Sequence, residues 1–467
     1  MLCNHSSCKQ IVSCFQQESL IDCCSFLMIT FVYKFFAMKY HTITNQLFIR
    51  NRAKFASKMM SNSLAVFNSN DVFTTGADSS LPFHQQRDIF YLSGADQEET
   101  ILLIFPDAIE IRHREILFIR ETNAHIAIWE GSKLTKEMAT EVSGIKTVYW
   151  LSEFDRIFQS LMSEVQTIYF NTNEHYRQTV EIETREDRFI KKVKGKFSAH
   201  SYARSFPIME CLRGVKESEE IALIQKACDI TEKGFRRVLN YVKPGVMEYE
   251  IEAEYAHEFL SNRSRGFAYT PIIGSGFNAC VLHYIENNQQ CLDGDMLLMD
   301  VGAEYANYSS DMTRTIPVNG RFSERQRAVY NAVFRVKSEA TKMLTPGTDW
   351  AQYHIEVGKL MTSELLGLGL IDKVDVQNED PKWPAYKKYF MHGTSHHMGL
   401  DTHDYGALKT SMKANMVFTV EPGIYIPNEN MGIRLEDDVV INDNGAPYNL
   451  MRNIPIDIEE IEDLMNN

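Results

Sequence analysis

Nowhere in this chain of 467 residues do two cysteines stand in a C-x-x-C arrangement, which argues against a cysteine-held zinc site. Cys3, Cys8, Cys14, Cys23 and Cys24 crowd the first stretch, and only Cys211, Cys228, Cys280 and Cys291 are scattered through the rest. So few cysteines in so large a body suit a reducing compartment, and a cytoplasmic protein is expected. Positive charge is also short: 48 Lys and Arg face 62 Asp and Glu, a formal net charge of −14. That balance argues against nucleic acid as a partner. The one basic cluster, Lys191-Lys192-Val193-Lys194-Gly195-Lys196, follows acidic Glu181–Asp187 and reads as a solvated surface loop. A membrane span is missing too. Ser25–Phe36 is apolar but interrupted by Lys34, and it is too short to cross a bilayer. Glu18 and Asp22 precede it and no A-x-A site follows, which argues against a secretory signal. Met38 opens sequence of globular character, so residues 1–37 are expected to be a non-native or disordered extension.

What remains is ordinary globular composition, 44% hydrophobic and 24% charged, in a chain long enough for two or three cores. Residues 38–195 read as a mixed α/β domain, with buried strands at Ala65-Val66-Phe67 and Ile101–Phe105 and a helix over Phe158–Val165. Leu81–Gly94 reads as a loop dense in aromatic and polar groups, with a structural or subunit-contact role. The texture changes over 196–215, taken as a linker, and 216–467 forms the second domain. There Glu217–Tyr241 is an amphipathic helix with Ile221, Ile224, Cys228, Phe235 and Val238 on one face, stopped by Pro244-Gly245. A second helix covers about Glu248–Leu260. The layout then repeats: a capping box at Ser323-x-x-Gln326 starts a helix to Leu344, Pro346-Gly347 ends it, and another helix spans about Trp350–Leu366. Strands and turns follow each helix pair. The spacing predicts an internal duplication, an α+β domain of two halves with ligands drawn from both.

Those halves hold the residues able to do chemistry. The apolar run Met296-Leu297-Leu298-Met299 ends on Asp300, Gly302 gives turn freedom, and the extended segment Met312–Ile316 follows Asp311. Two carboxylates thus sit on neighbouring, antiparallel strands beside buried sequence, where an unpaired charge is too costly. In the second half, His392-Gly393-Thr394-Ser395-His396-His397 leads to His403, Met416–Val420 ends on Glu421, and Gly432–Asp437 alternates so that Arg434 and Glu436 share a face. Singly, each of these is a turn residue or a packed histidine. Together, Asp300, Asp311, Glu421, Glu436 and His396 form an oxygen-rich set whose four negative charges balance two divalent cations. Such ligation suits Mn(II), Fe(II), Co(II) or Zn(II), and a two-metal centre holding a hydroxide performs hydrolysis. His283, His392 and His403 are left for proton transfer and for bonds to the reacting group.

The motifs GSGFNACVLHY (274–284), MDVGAEYANYSSDMTRTIPV (299–318), HGTSHHMGLDTHD (392–404), VEPGIYI (420–426) and GIRLEDD (432–438) carry a resemblance to aminopeptidase P, the Xaa-Pro aminopeptidases of the pita-bread metallopeptidases. The resemblance runs from about residue 40 to the end. It implies a creatinase-like α/β N-terminal domain ahead of a pita-bread catalytic domain with pseudo-twofold duplication. It also implies two divalent ions, most often Mn(II), a homodimer or homotetramer, and proline-containing peptides as substrates, with no membrane partner. By the same resemblance Asp300, Asp311, His396, Glu421 and Glu436 are metal ligands, Asp311 and Glu436 bridging. A metal-bridging hydroxide then attacks the bond before proline, with Glu421 as a plausible acceptor of its proton. His283 and His403 contact substrate, His392 lines the site and Arg434 orients the carboxylates. His397 departs from the family, which often has a large aromatic there.

The same metal set also fits a prolidase acting on Xaa-Pro dipeptides. A methionine aminopeptidase leaves the N-terminal domain unexplained. A pita-bread module that only binds peptides, or a metal-free creatinase, leaves five intact ligand positions unexplained. Gly274-x-Gly276-x-x-Ala279 matches a dinucleotide fingerprint, but Pro271 stands where its strand should run and extended Val281–Tyr284 where its helix should begin.

Overall fold

A computed structural model of the chain describes residues 39–178, 181–406 and 410–467, so the expectation for residues 1–37 lies outside the described residues. Residues 42–467 form one compact unit. Its N-terminal part is built on six strands: β1 (Ser63–Asn68), β2 (Ile101–Ile104), β3 (Glu115–Ile119), β4 (Thr147–Trp150), β5 (Thr167–Phe170) and β6 (Ser201–Arg204). Their order is β4-β3-β2-β1-β5-β6. β2 runs antiparallel to both β1 and β3, and the other pairs are parallel. β1 is buried along its whole length, as a short central strand covered on both faces should be. Leu64, Val66, Leu103, Phe118 and Ile168 pack with Phe154, Ile157, Phe158 and Leu161 from the helix Phe154–Leu161. These helix positions recur at helical spacing, so the helix begins four residues before the expected Phe158.

Three other expectations change, the first being that the basic stretch 191–196, expected as a surface loop, is the last part of the helix Arg185–Lys196. The loop 81–94 closes with a helix, Arg87–Ser93, capped by Gln86, whose side chain accepts from the amides of Asp88 and Ile89 at 2.8 and 3.0 Å. The linker 196–215 is regular structure: β6 pairs in parallel with β5, and the helix Phe206–Gly214 follows. β6 is an edge strand with half- or fully exposed side chains, so no apolar run marks it.

The C-terminal part starts with the helix Ser218–Leu239, crossed closely by Glu248–Ser261. Ile224, Cys228, Phe235 and Val238 are buried as expected. Gly234 permits the crossing, because a Cβ there would come within 2.7 Å of the Tyr255 ring. Then come β7 (Ile272–Ser275), β8 (Met296–Val301), β9 (Glu304–Tyr305), β10 (Tyr308–Ser309) and β11 (Met312–Pro317), with β11-β8-β7 an antiparallel sheet. The second half repeats the order with helices Glu324–Lys342 and Trp350–Gly367, then β12 (Val417–Val420), β13 (Gly423–Ile426), β14 (Met431–Arg434), β15 (Asp437–Val440) and β16 (Tyr448–Asn449). Ser323 and Gln326 form the expected capping box. The dinucleotide fingerprint fails in fact: β7 leads into a five-residue 3-10 turn, Gly276–Cys280, and Val281–Tyr284 continues as a turn rather than the expected extended segment. Among the described residues no helix is long and apolar enough to cross a membrane.

One buried ion network joins the two parts. Arg213 pairs with Asp88 at 2.9 Å, with Asp401 at 2.7 Å and with Asp404, and Lys216 meets Asp404 at 2.9 Å. Burial opposes charge on Asp404, but Arg213 and Lys216 outweigh it and hold the carboxyl at about 2. Arg213→Met leaves Asp88 and Asp404 buried without this partner and should cost about 3–5 kcal/mol in denaturant unfolding. Glu220 behaves oppositely. It accepts from the Glu217 amide at 2.8 Å and from the Tyr308 hydroxyl at 3.1 Å, and burial pushes it up to about 7. The folded protein therefore holds a proton that the unfolded chain releases near 4.5, so this group's contribution falls as pH rises from about 4.5 through 7. Glu220→Gln should flatten that part of the stability–pH curve; an unchanged curve would contradict the assignment.

Candidate metal centre

β8 and β11 bring the first two carboxylates together. Asp300 lies on β8 opposite Thr313 of β11, and Asp311 directly precedes β11. Gly302 sits in the connection for a different reason from the turn freedom expected of it: a Cβ there would lie 1.8 Å from the Ser310 carbonyl oxygen. On the other half, residues 394–398 run beside β12. The Thr419 amide donates to the His396 carbonyl at 3.0 Å, and the Glu421 amide to the Thr394 carbonyl at 2.8 Å. His396 Nδ1 lies 3.0 Å from the His397 carbonyl, which turns Nε2 toward the carboxylates. It stands 3.4 Å from Asp311 Oδ2 and 3.6 Å from Glu421 Oε1. The alternating strand expected over 432–437 is broken, with β14 ending at Arg434 and β15 starting at Asp437. At the break, the Leu435 amide turns to the Pro422 carbonyl and the Glu436 amide to the Thr313 carbonyl. Both side chains still meet one hydroxyl: Thr313 donates to Glu436 at 2.6 Å and accepts from Arg434 Nε at 3.1 Å.

Asp311, His396 and Glu436 present ligand atoms all within 4.8 Å of one another. Asp300 and Asp311 are tied by Tyr269, whose hydroxyl stands 2.5 Å from one and 2.6 Å from the other. One phenol proton cannot serve both contacts, so the second calls for a shared proton or a nearby cation. Burial, then the charge of neighbouring carboxylates, raises Asp311 and Glu436 well above the carboxylate range, and burial lifts Glu421 to about 7. Arg434, 2.6 Å from Asp300, brings one positive charge against this set. The remaining charge and the open oxygen lone pairs fit divalent cations, and the donor types fit the hard to borderline metals expected of them.

Around the cluster, His392 contacts the Tyr425 hydroxyl at 2.7 Å and the Gly393 carbonyl at 2.8 Å. Tyr425 in turn accepts from Arg434 at 2.9 Å. His403 stacks edge-on against His396 with ring centres 4.0 Å apart. Burial lowers His392 to about 3 and His403 to about 2, so both rings are neutral at ordinary pH. His283 stands further out, exposed on the turn after Gly276–Cys280, without a side-chain hydrogen bond among the described residues. His397 is buried against Trp350 and Phe418 with ring centres 6.1 and 4.3 Å away. Tyr269, Thr313 and Tyr425 were not singled out in the sequence. Tyr425 lies inside the VEPGIYI motif, whereas Tyr269 follows irregular chain that carries no periodic signal.

The model of metallopeptidase family M24 matches residues 222–443, and that of the aminopeptidase P N-terminal domain matches residues 48–169. The Xaa-Pro aminopeptidase of Escherichia coli is 33% identical over 91% of this chain and 98% of its own length. Human Xaa-Pro aminopeptidase 3 is 28% identical over 85% of this chain and 79% of its own. A zinc-substituted E. coli aminopeptidase P in complex with product superimposes with a TM-score of 0.80 at 31% identity, covering 91% of this chain and 99% of that one. Pseudomonas aeruginosa aminopeptidase PepP does so at 0.81 and 28%, covering 91% and 98%. With both domains matched in order and a relative above 30% identity covered nearly end to end, the chain belongs to the Xaa-Pro aminopeptidase family, metal-dependent peptide hydrolases with a pita-bread catalytic domain.

Proposed function

We propose that the protein removes the N-terminal residue from peptides with proline in second position, using two divalent metal ions. The observation that carries this is the convergence of four carboxylates and one imidazole, drawn from both halves of the catalytic domain, on one buried spot. Asp300, Asp311, His396, Glu421 and Glu436 are the residues that would hold the ions. Bound there, the ions supply a hydroxide nucleophile and polarise the scissile carbonyl. Glu421, half-buried, would accept the proton of that nucleophile. His403 and His283 hold the substrate's polar atoms on the open side. His392 fixes Tyr425, and Arg434 and Thr313 hold Asp300 and Glu436 in place, so the ligands stay ordered as the substrate enters. An Xaa-Pro amide has no N–H, so a dedicated site accepts the ring where other peptidases use that donor. Manganese as the native ion, a homodimer or homotetramer, a cytoplasmic location and a domain division near residue 215 belong to the same reading.

Stripping metal should abolish cleavage of an Xaa-Pro-Yaa tripeptide, and Mn(II) should restore it. Little cleavage of the matching Xaa-Pro dipeptide is expected; preference for the dipeptide would make the protein a prolidase instead. Glu421→Gln should lower kcat by roughly 10²–10⁴-fold with a smaller change in KM, as loss of a proton acceptor does. Full activity in that variant would remove Glu421 from the proton path.

A further inference from the structure

Beside the metal cluster, a cavity of about 160 Å³ is lined by His396, His403, Tyr176 and Arg177, among others. Arg177 is the only Arg or Lys among its described lining residues. It arrives from the N-terminal part of the chain, seven residues past β5. Its Nε lies 3.2 Å from the Tyr176 hydroxyl, and one terminal nitrogen sits 2.8 Å from His403 Nε2 and 3.2 Å from Nδ1. Among the described residues no carboxylate pairs with it. Arg213 and Lys216 are committed to Asp404, and Arg434 to Asp300. Asp404, the only carboxylate among the described lining residues, is thereby taken as well.

A guanidinium whose contacts are one imidazole ring and one phenol oxygen has weak partners and keeps most of its five N–H donors open. A carboxylate is the partner it fits best, in a forked, charge-assisted bond. His403 touches His396, so Arg177 stands one side chain away from a proposed metal ligand, at the mouth of the site.

We propose that Arg177 is a specificity residue that takes the free C-terminal carboxylate of short peptides ending two residues beyond the scissile bond, at the residue after proline. This rests on the peptidase reading above and narrows it, favouring short peptides with a free terminus over amidated or long ones. Arg177 gives up its contact to His403 for the carboxylate, which leaves the His403 ring to face the substrate. The side chain is exposed, so its replacement should leave the fold intact.

The test compares Ala-Pro-Leu with its C-terminal amide on the Mn(II)-loaded full chain, in the wild type, Arg177→Met and Arg177→Lys. The wild type should favour the free acid about tenfold in kcat/KM, mainly through KM. Arg177→Met should bring the ratio near one while keeping the amide rate, and Arg177→Lys should retain part of the preference. Equal losses on both substrates would mean that Arg177 acts only through His403, and an unchanged ratio would mean that it reads nothing; either overturns the proposal. Ala-Pro-Glu-amide cleaved as well as the free acid would overturn the terminal assignment in favour of an acidic side chain. Calorimetry with Pro-Leu and Pro-Leu-amide separates this from the wider reading, because it needs no turnover. Tighter binding of the acid, lost in Arg177→Met, supports the proposal even if no Xaa-Pro peptide is cleaved, and equal binding overturns it.

Discussion

Mutual repulsion among buried carboxylates governs this protein. Two unit charges about 4 Å apart interact by roughly 4 kcal/mol at an effective dielectric near 20, and this cluster has four carboxylates with one adjacent arginine. Left alone, such a set protonates: burial first, and the neighbouring carboxylates after it, push Asp311, Glu421 and Glu436 upward. The fold does not relieve it by spreading the groups apart. It holds them in place instead, with Tyr269 across Asp300 and Asp311 and Thr313 between Arg434 and Glu436. A backbone that keeps like charges together is one whose stable state includes counter-cations, and this links the fold to a metal-dependent family.

The duplicated architecture explains how one site collects such groups. Each half ends a buried strand on a carboxylate, Asp300 after β8's apolar run and Glu421 after β12. The half-chains then meet through amides and side chains rather than one continuous sheet, as where Glu436 N donates to Thr313 and Asp311 N donates to Asp438. The N-terminal part is tied in by a different device. Asp88, Arg213 and Asp404 pair out of water beside the loop that carries His403, so the placement of that loop depends on the helix Arg87–Ser93 as well as on the catalytic domain.

Strong periodic signals were legible in the sequence, and so were motif residues. The helices Ser218–Leu239 and Glu324–Lys342 stand where apolar spacing and the Ser323 capping box put them, because those signals are local. Asp300, Asp311, His396, Glu421 and Glu436 could be grouped because most of them stand beside apolar strands or glycine turns. β6 escaped because an exposed edge strand has no apolar face to read. The break at Leu435–Glu436 escaped because alternation along one segment says nothing of a change of hydrogen-bond partner. Gly302 was read as a turn glycine, whereas it is required by contact with Ser310, a neighbour only in the fold. Tyr269 and Arg177 act through distant partners, and a lone tyrosine or arginine carries no such signal.

The central claim is that the carboxylate cluster is completed by two cations. Titrating metal-free protein with Mn(II) by calorimetry, and following thermal unfolding in parallel, tests it most directly. The account predicts two ions per chain with a rise in Tm, and loss of both effects in Asp311→Asn. No binding, or binding that Asp311→Asn leaves intact, would contradict it.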